Sequence, residues 1–434
     1  MDRIKLKYLT NKPLMYGANE SAVSEDKDKP RFIRITDINE DGSLKDTTFK
    51  SLDLEKAKPY LLKKNDILFA RTGATVGKTY IHSNDELSCF AGYLIKFESD
   101  INKLLPKLLF YYSKTIEYQD WIRENTIQAT IQNVSAEKYK ELKLPIFKMN
   151  EQNIVISFLD RKLSDLNFLI YSKEKQIKLL EEQRQAMITE AVTKGLNPNV
   201  KMKDSGVDWI GEIPEHWNLK KLKYISKIKT SNVNKKSTDG EKSVKLCNYT
   251  DVYYNDFVSN SIDFMQATAT KEQIEKFTLK RDNVLITKDS ENPNDIGIPA
   301  YVVEDFIDVV CGYHLTVLEP KKSKMLGKYL YYSIVAKNFQ EQFHSKANGV
   351  TRYGLTLSSI GDSLILEPTI EEQLKIISKL DSTSSDYKTM KEKIKKQIIK
   401  LKEYRQSLIH EAVSGKIPIE EMETYLKEAE NDGN

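Results

Sequence analysis

Long hydrophobic runs are absent from this chain. No window approaches about eighteen uninterrupted apolar residues, so no helix is expected to span a membrane. The opening Met1-Asp2-Arg3-Ile4-Lys5 carries no hydrophobic signal core, which argues against secretion. Cysteine is scarce. Cys89, Cys247 and Cys311 form an odd, widely spaced set that offers no disulfide framework and suits reduced thiols in a cytoplasmic protein. His82, His216, His314, His344 and His410 have no metal-ligand spacing with one another or with cysteine, so no metal site is expected. Glycine and proline, present elsewhere, vanish from two stretches, 151–194 and 371–414.

An excess of one charge is missing too. The 434 residues hold 67 Lys and Arg against 63 Asp and Glu, a net +4 that by itself requires no nucleic-acid partner. A composition of 40% hydrophobic and 30% charged residues is that of a soluble globular protein, and the length suits two or three domains. The distribution says more. Residues 220–245 carry nine lysines against only Asp239 and Glu241, while the segment Glu420 to Asn434 is acidic and is expected to fray. A lysine run alone reads equally as a solvated surface.

The second half of the chain restates the first. Leu6-Lys7-Tyr8-Leu9 returns as Leu222-Lys223-Tyr224-Ile225, Asn65-Asp66-Ile67-Leu68 as Asp282-Asn283-Val284-Leu285, and Gly92-Tyr93 as Gly312-Tyr313. From Lys107 onward the offset settles at 221: Lys107 matches Lys328, Glu151-Gln152 matches Glu372-Gln373, Leu159-Asp160 matches Leu380-Asp381, and Glu190-Ala191-Val192 matches Glu411-Ala412-Val413. This is a tandem duplication, and each copy has two parts. About 1–150 and 208–369 mix β-branched and aromatic runs with turn residues; Asp66-Ile67-Leu68-Phe69-Ala70 and Tyr301-Val302-Val303 are strand candidates.

The second part of each copy is a long helix. Thr369 with Glu372 makes a capping box, Gly195 and Gly415 stand where C-terminal caps belong, and Pro198 and Pro418 follow. Leu159, Leu163, Leu166, Ile170, Ile177, Leu180 and Met187 mark a heptad seam, as do Leu380, Tyr387, Ile394, Ile398, Leu401 and Leu408. Lys173, Arg184, Ser384, Lys391 and Arg405 interrupt it, which favours an intramolecular pair over a strong homodimer zipper. A helix of this length extends about 66 Å at ~1.5 Å per residue, away from one domain toward the next. The second returns most simply antiparallel to the first. The expected class is α+β: two tandem mixed domains separated by two long helices in an intramolecular antiparallel coiled coil.

This layout resembles the specificity subunit of type I restriction–modification systems, over nearly the whole chain. The most specific piece is Ser205-Gly206-Val207-Asp208-Trp209-Ile210-Gly211-Glu212-Ile213-Pro214-Glu215-His216-Trp217, which looks like the leader of that family's recognition domains. Asn65 to Gly73, Thr130-Ile131-Gln132-Asn133 and the Glu-Gln start of each helix are similar to family patterns as well. The first copy lacks the leader: either its domain dispenses with that segment or the chain start is shortened. The resemblance implies target-recognition domain 1 at 1–150, a spacer helix at 151–195, the leader plus target-recognition domain 2 at 196–369, a second spacer helix at 370–415, and an acidic tail at 416–434. It also implies double-stranded DNA as ligand, a two-part target whose unread spacer the helices set, two docked methyltransferase subunits, and restriction or motor subunits for cleavage.

Candidate contact residues lie in two loops per copy. Gly73-Ala74-Thr75-Val76-Gly77-Lys78-Thr79 imitates a P-loop, yet it has three residues between its glycines instead of four, and Tyr80-Ile81-His82 after it reads as a strand. A Gly-rich turn presenting Arg71, Thr72, Thr75 and Lys78 to DNA is the better reading, beside that of a plain hairpin. The second copy replaces this loop with 288–295, where Lys288, Asn292 and Asn294 are candidates. Shared strands with a different polar loop suit two modules that read different half-sites. The loops before the helices add Thr130, Gln132 and Asn133 in one copy and Arg352 and Tyr353 in the other; Gln and Asn pair with adenine, Arg with guanine. Each residue taken alone reads equally as part of a solvated turn. Tyr111, Tyr112, Tyr331 and Tyr332 read as core, Trp209 and Trp217 as anchors for the leader, and Cys89 and Cys311 as buried. Neither an amino-methyltransferase Asn/Asp-Pro-Pro-aromatic motif nor a glycine fingerprint for a methyl donor is present, so no catalytic residue and no cofactor is expected. Three rival readings remain: a specificity subunit whose partner fuses methylation and cleavage, a coiled-coil scaffold that binds proteins alone, and a P-loop nucleotide enzyme.

Overall fold

The computed structural model describes residues 2–21, 24–126 and 133–431. They form two compact units, one drawn from residues 1–174 and 395–434, the other from 175–394. The duplication is visible in the sheets. In the first unit four strands run Met15–Tyr16, Leu94–Phe97, Ile67–Ala70, Thr79–Ile81, every neighbour antiparallel. In the second the counterparts Ser226–Thr230, Leu315–Pro320, Val284–Thr287 and Pro299–Val302 keep this order, and Phe257–Val258 adds a parallel edge. A smaller sheet pairs Arg31–Ile33 with Ser88–Phe90 in parallel, and Lys242–Cys247 pairs likewise with Val309–Cys311 in the second unit.

The two copies also share a backbone peculiarity. Asn65 and Asp282, counterparts in the repeat, enter the central strand with φ of 74° and 72°. Asn and Asp tolerate this left-handed conformation better than other residues with a Cβ. The strands that follow, Ile67–Ala70 and Val284–Thr287, are wholly buried.

Two long helices, Met149–Lys194 and Ile370–Val413, fit the stretches without glycine or proline. Both begin on a side-chain cap: Glu151 accepts from the Lys148 N–H at 2.9 Å, and Thr369 and Glu372 form the expected box. Both end on a left-handed glycine, Gly195 (φ 75°) and Gly415 (φ 73°). Within each unit the start of one long helix packs against the end of the other. Val155 and Leu159 share a core with Leu408, Ile409, Ala412 and Val413 in the first unit; Ile188, Ala191 and Val192 share one with Ile376 and Leu380 in the second. In the first unit Glu174 meets Lys402 at 3.3 Å and Asn167 meets Arg405 at 2.8 Å, so the paired segments run antiparallel. Lys391 finds Glu181 at 2.9 Å in the second. The charged seam positions Arg405 and Lys391 thus find polar partners on the facing helix, and the exposed Lys391–Glu181 ion pair stabilises by about 0.2–1 kcal/mol.

Matched polar clamps tie each helix to its domain. Gln152 is fully buried; it accepts from the Leu105 N–H at 2.8 Å and donates to the Lys103 and Phe147 carbonyls. Gln373 repeats this with Leu326, Lys324 and Pro368. Asp160 accepts from Lys107 and Tyr111, and Asp381 from Lys328 and Tyr332. Tyr111, Tyr112, Tyr331 and Tyr332 are buried, as are Cys89, Cys247 and Cys311. Trp217 is fully buried and its indole donates to Glu372 at 3.2 Å, whereas Trp209 is half exposed.

The acidic tail departs from expectation. It forms a helix, Ile419–Asn431, instead of fraying. Met422 is fully buried, and Ile419, Tyr425 and Leu426 pack on the same core of the first unit. Apolar residues at helical spacing outweigh the charge of the exposed face.

Candidate nucleic-acid interface

In the first unit the glycine-rich segment links two antiparallel strands through a short 3-10 turn, Gly73–Thr75. A strand, not a helix, follows at Thr79–Ile81, so the segment lacks the helix N-terminus a P-loop uses for phosphate. The Arg71 guanidinium lies 4.6 Å from the centroid of the Tyr16 ring. Thr72 bridges to Asn133, and the Val134 N–H donates to the Arg71 carbonyl at 2.8 Å. Two loops some 60 residues apart are thereby joined. Nε of Arg71 and Oδ1 of Asn133 are buried with no hydrogen-bond partner among the described residues. Such groups are costly to leave unmatched. Thr75 turns its hydroxyl onto the Thr72 carbonyl, and Lys78 pairs with Glu40 at 2.6 Å. Thr130 and Gln132 lie outside the described residues.

The second unit joins its two loops more tightly. Asp289–Ser290 pairs with Tyr353–Gly354, which pairs in turn with Asn348–Gly349, so Tyr353 sits in the middle of a three-stranded ribbon. Nη2 of Arg352 donates to Asp289 Oδ1 at 2.8 Å and lies 3.1 Å from His314 Nδ1. His314 Nδ1 is itself 2.7 Å from Asp289 Oδ1. Arg352 remains 58% exposed at its side chain while Asp289 is 19% exposed, so a half-buried carboxylate holds an outward guanidinium. Asn292 is exposed, but its side-chain oxygen accepts from the Asn294 N–H at 3.0 Å and shapes the turn. Tyr253 fastens the loop through Asp295 at 2.7 Å, and this hydrogen bond pushes its phenol up to about 12.

Arg71 and Lys288, counterparts in the repeat, occupy the same place on the scaffold. The Arg71 N–H donates to the Tyr93 carbonyl and its carbonyl accepts from Val134; Lys288 does the same with His314 and Leu355. The sequence reading passed over Tyr16, Glu40, Asp289 and His314. A signal existed for one: the repeat places His314 after Gly312-Tyr313 where the first copy has Leu94 after Gly92-Tyr93. Within the lysine run 220–245 four side chains are engaged in ion pairs. Lys221 and Lys223 pair with Asp362, Lys229 with Glu319 and Lys245 with Asp308.

Among the described residues no group of His, Cys, Asp and Glu is arranged to hold a metal ion, and no helix is long and apolar enough to cross a membrane. Residues 14–179 and 214–400 match the family described as type I restriction modification DNA specificity domain. The chain is similar to the type I restriction enzyme MjaVIII specificity subunit of Methanocaldococcus jannaschii, 24% identical over 84% of this chain and 82% of the relative. It is also similar to the StySPI specificity subunit of Salmonella potsdam, 19% identical over 87% and 81%. In fold it resembles a chain from a study of complex assembly and conformational transition of the type I R-M system, with a TM-score of 0.71 at 13% identity, covering 96% of this chain and 98% of that one. It resembles the HsdS subunit from Thermoanaerobacter tengcongensis with a TM-score of 0.51 at 14% identity, covering 96% and 97%. With two copies of the domain on one duplicated scaffold, the chain belongs to the type I restriction–modification DNA specificity family.

Proposed function

We propose that this chain is the sequence-reading subunit of a type I restriction–modification complex and has no catalysis of its own. Each target-recognition domain, about 1–150 and 196–369, reads one half of a bipartite target on double-stranded DNA. The spacer helices, 151–195 and 370–415, hold the readers apart, and the complex adds two methyltransferase subunits and the restriction or motor subunits in the cytoplasm. The carrying observation is one scaffold position filled by different chemistry: Arg71 backed by Tyr16 in one unit, Lys288 beside Arg352, Asp289 and His314 in the other. Shared strands fix where a loop meets DNA, while its side chains decide which base edge is accepted. Arg71, Thr72, Thr75, Lys78 and Asn133, with Thr130 and Gln132, serve the first half-site; Lys288, Asn292, Asn294, Arg352 and Tyr353 serve the second. The test is methylome sequencing of cells that carry this chain with its methyltransferase. A single two-part motif with a fixed gap is expected, and methylation at a continuous site or at none would overturn the reading.

A further inference from the structure

The recognition loops differ between the copies, but one tetrapeptide does not. Lys5-Leu6-Lys7-Tyr8 recurs unchanged as Lys221-Leu222-Lys223-Tyr224. Leu6 and Leu222 are fully buried, so packing explains their identity. Tyr8 and Tyr224 are 60% and 56% exposed, and packing does not explain theirs. Around each tyrosine the same constellation stands. Lys5 and Lys7 converge on Glu141 at 2.5 and 2.6 Å; Lys221 and Lys223 converge on Asp362 at 3.0 and 2.8 Å. Glu141 and Asp362 are counterparts at the 221-residue offset, so the carboxylate was kept although its side chain changed length. The second lysine's ammonium lies 5.3 Å from the Tyr8 ring centroid and 5.5 Å from that of Tyr224.

A surface retained twice, on units whose readers diverged, meets the same thing twice. From this we infer that the Tyr8 and Tyr224 patches are docking points for two copies of one protein partner, each presenting an apolar socket with a polar rim. On the functional reading above, on which this rests, that partner is the methyltransferase subunit. An exposed tyrosine ringed by paired charges has the make-up of an interface anchor with a polar periphery. DNA backbone, the other ligand common to both units, fits less well. Each lysine pair shares one carboxylate, so each patch offers a backbone only a single net positive charge. In the first unit, moreover, Glu117, Asp120, Glu124 and Glu141, with Arg3 and Lys143, line an adjoining cleft of about 750 Å³ whose carboxylates repel phosphate.

The experiment is native mass spectrometry and titration of the full chain co-expressed with the methyltransferase, for wild type, Tyr8→Ala, Tyr224→Ala and the double variant. Wild type takes up two copies. Each single variant is expected to hold one as before and the other roughly tenfold or more weakly, in line with losing an aromatic anchor, and the double variant to weaken both. Tyr8→Phe and Tyr224→Phe, with melting temperatures, control for folding and should keep both copies. Variants that bind two copies at wild-type affinity overturn the inference alone. Intact assembly with a shallower salt dependence of DNA binding also overturns it, reassigning the patch to phosphate. A wild-type chain that takes up no methyltransferase overturns the functional reading, and this inference with it.

Discussion

Asp289 illustrates how a single carboxylate sets what a neighbour can do. It holds Arg352 and His314 within 2.8 and 2.7 Å, so the guanidinium reaches solvent in a limited set of orientations and loses less freedom on binding. If Arg352 reads guanine, Arg352→Ala costs about 1–3 kcal/mol on the cognate site and relaxes one position of the second half-site. Asp289→Asn should relax the same position while leaving non-specific binding intact. Affinities for cognate and singly substituted duplexes at several salt concentrations check this. Equal weakening on every duplex would make Arg352 a phosphate clamp instead. A second residue-scale prediction concerns Glu372. Burial pushes its carboxyl up, but hydrogen bonds from His216, Trp217 and Thr369 outweigh that and hold it below its ordinary value. Because the folded value is depressed, the stabilisation is present above the ordinary carboxyl value and is lost as pH falls from there through the lower folded value. Melting temperatures should therefore drop more steeply in wild type than in Glu372→Gln as pH falls from about 5 to about 3. Parallel curves would show that the leader's attachment does not depend on this charge.

Elements were legible from the sequence where their signals are local. The long helices announced themselves through missing glycine and proline, heptad spacing and Thr369 with Glu372, all within a few residues of one another. The sheet order was not legible, because pairing Lys245 with Val309 in parallel needs contacts across more than sixty residues that no periodicity encodes. The site was half legible for the same reason. Arg352 and Lys288 stand out as polar loop residues, but the convergence of Arg352 on Asp289 and His314 depends on the ribbon formed by distant segments. The tail was misread although its signal is local: Ile419, Met422 and Leu426 recur at helical spacing beneath a run of glutamates. Its helix makes a further test. Met422 is fully buried in the first unit, so Met422→Ala should destabilise that unit by about 2–5 kcal/mol, read as an earlier denaturant midpoint. An unchanged midpoint would mean that the tail does not contribute to the first unit's core in solution.

At the scale of the whole molecule the duplication explains which features agree and which differ. The left-handed Asn65 and Asp282 lead into each central strand alike, and the buried Gln152 and Gln373 and the Asp160 and Asp381 acceptors fasten each domain to its long helix in the same way. All of these are chemically alike in the two copies. The loops that carry Arg71 and Lys288 are unlike, although they hang from equivalent strands. A recognition module whose scaffold and reading surface are separable in this way should be exchangeable. Replacing residues 201–369 with the corresponding segment of a relative that has another target keeps both long helices, and with them the Gln152 and Gln373 side chains of the clamps. The expected product methylates a hybrid site: the first half unchanged, the second half that of the donor, the gap the same. Methylome sequencing of cells carrying the hybrid reads all three at once. A change in the first half-site would show that the units read DNA jointly. A hybrid that folds and assembles but methylates only the original target would place second-half recognition outside 201–369, and the assignment of Lys288, Asn292, Asn294, Arg352 and Tyr353 would fall with it.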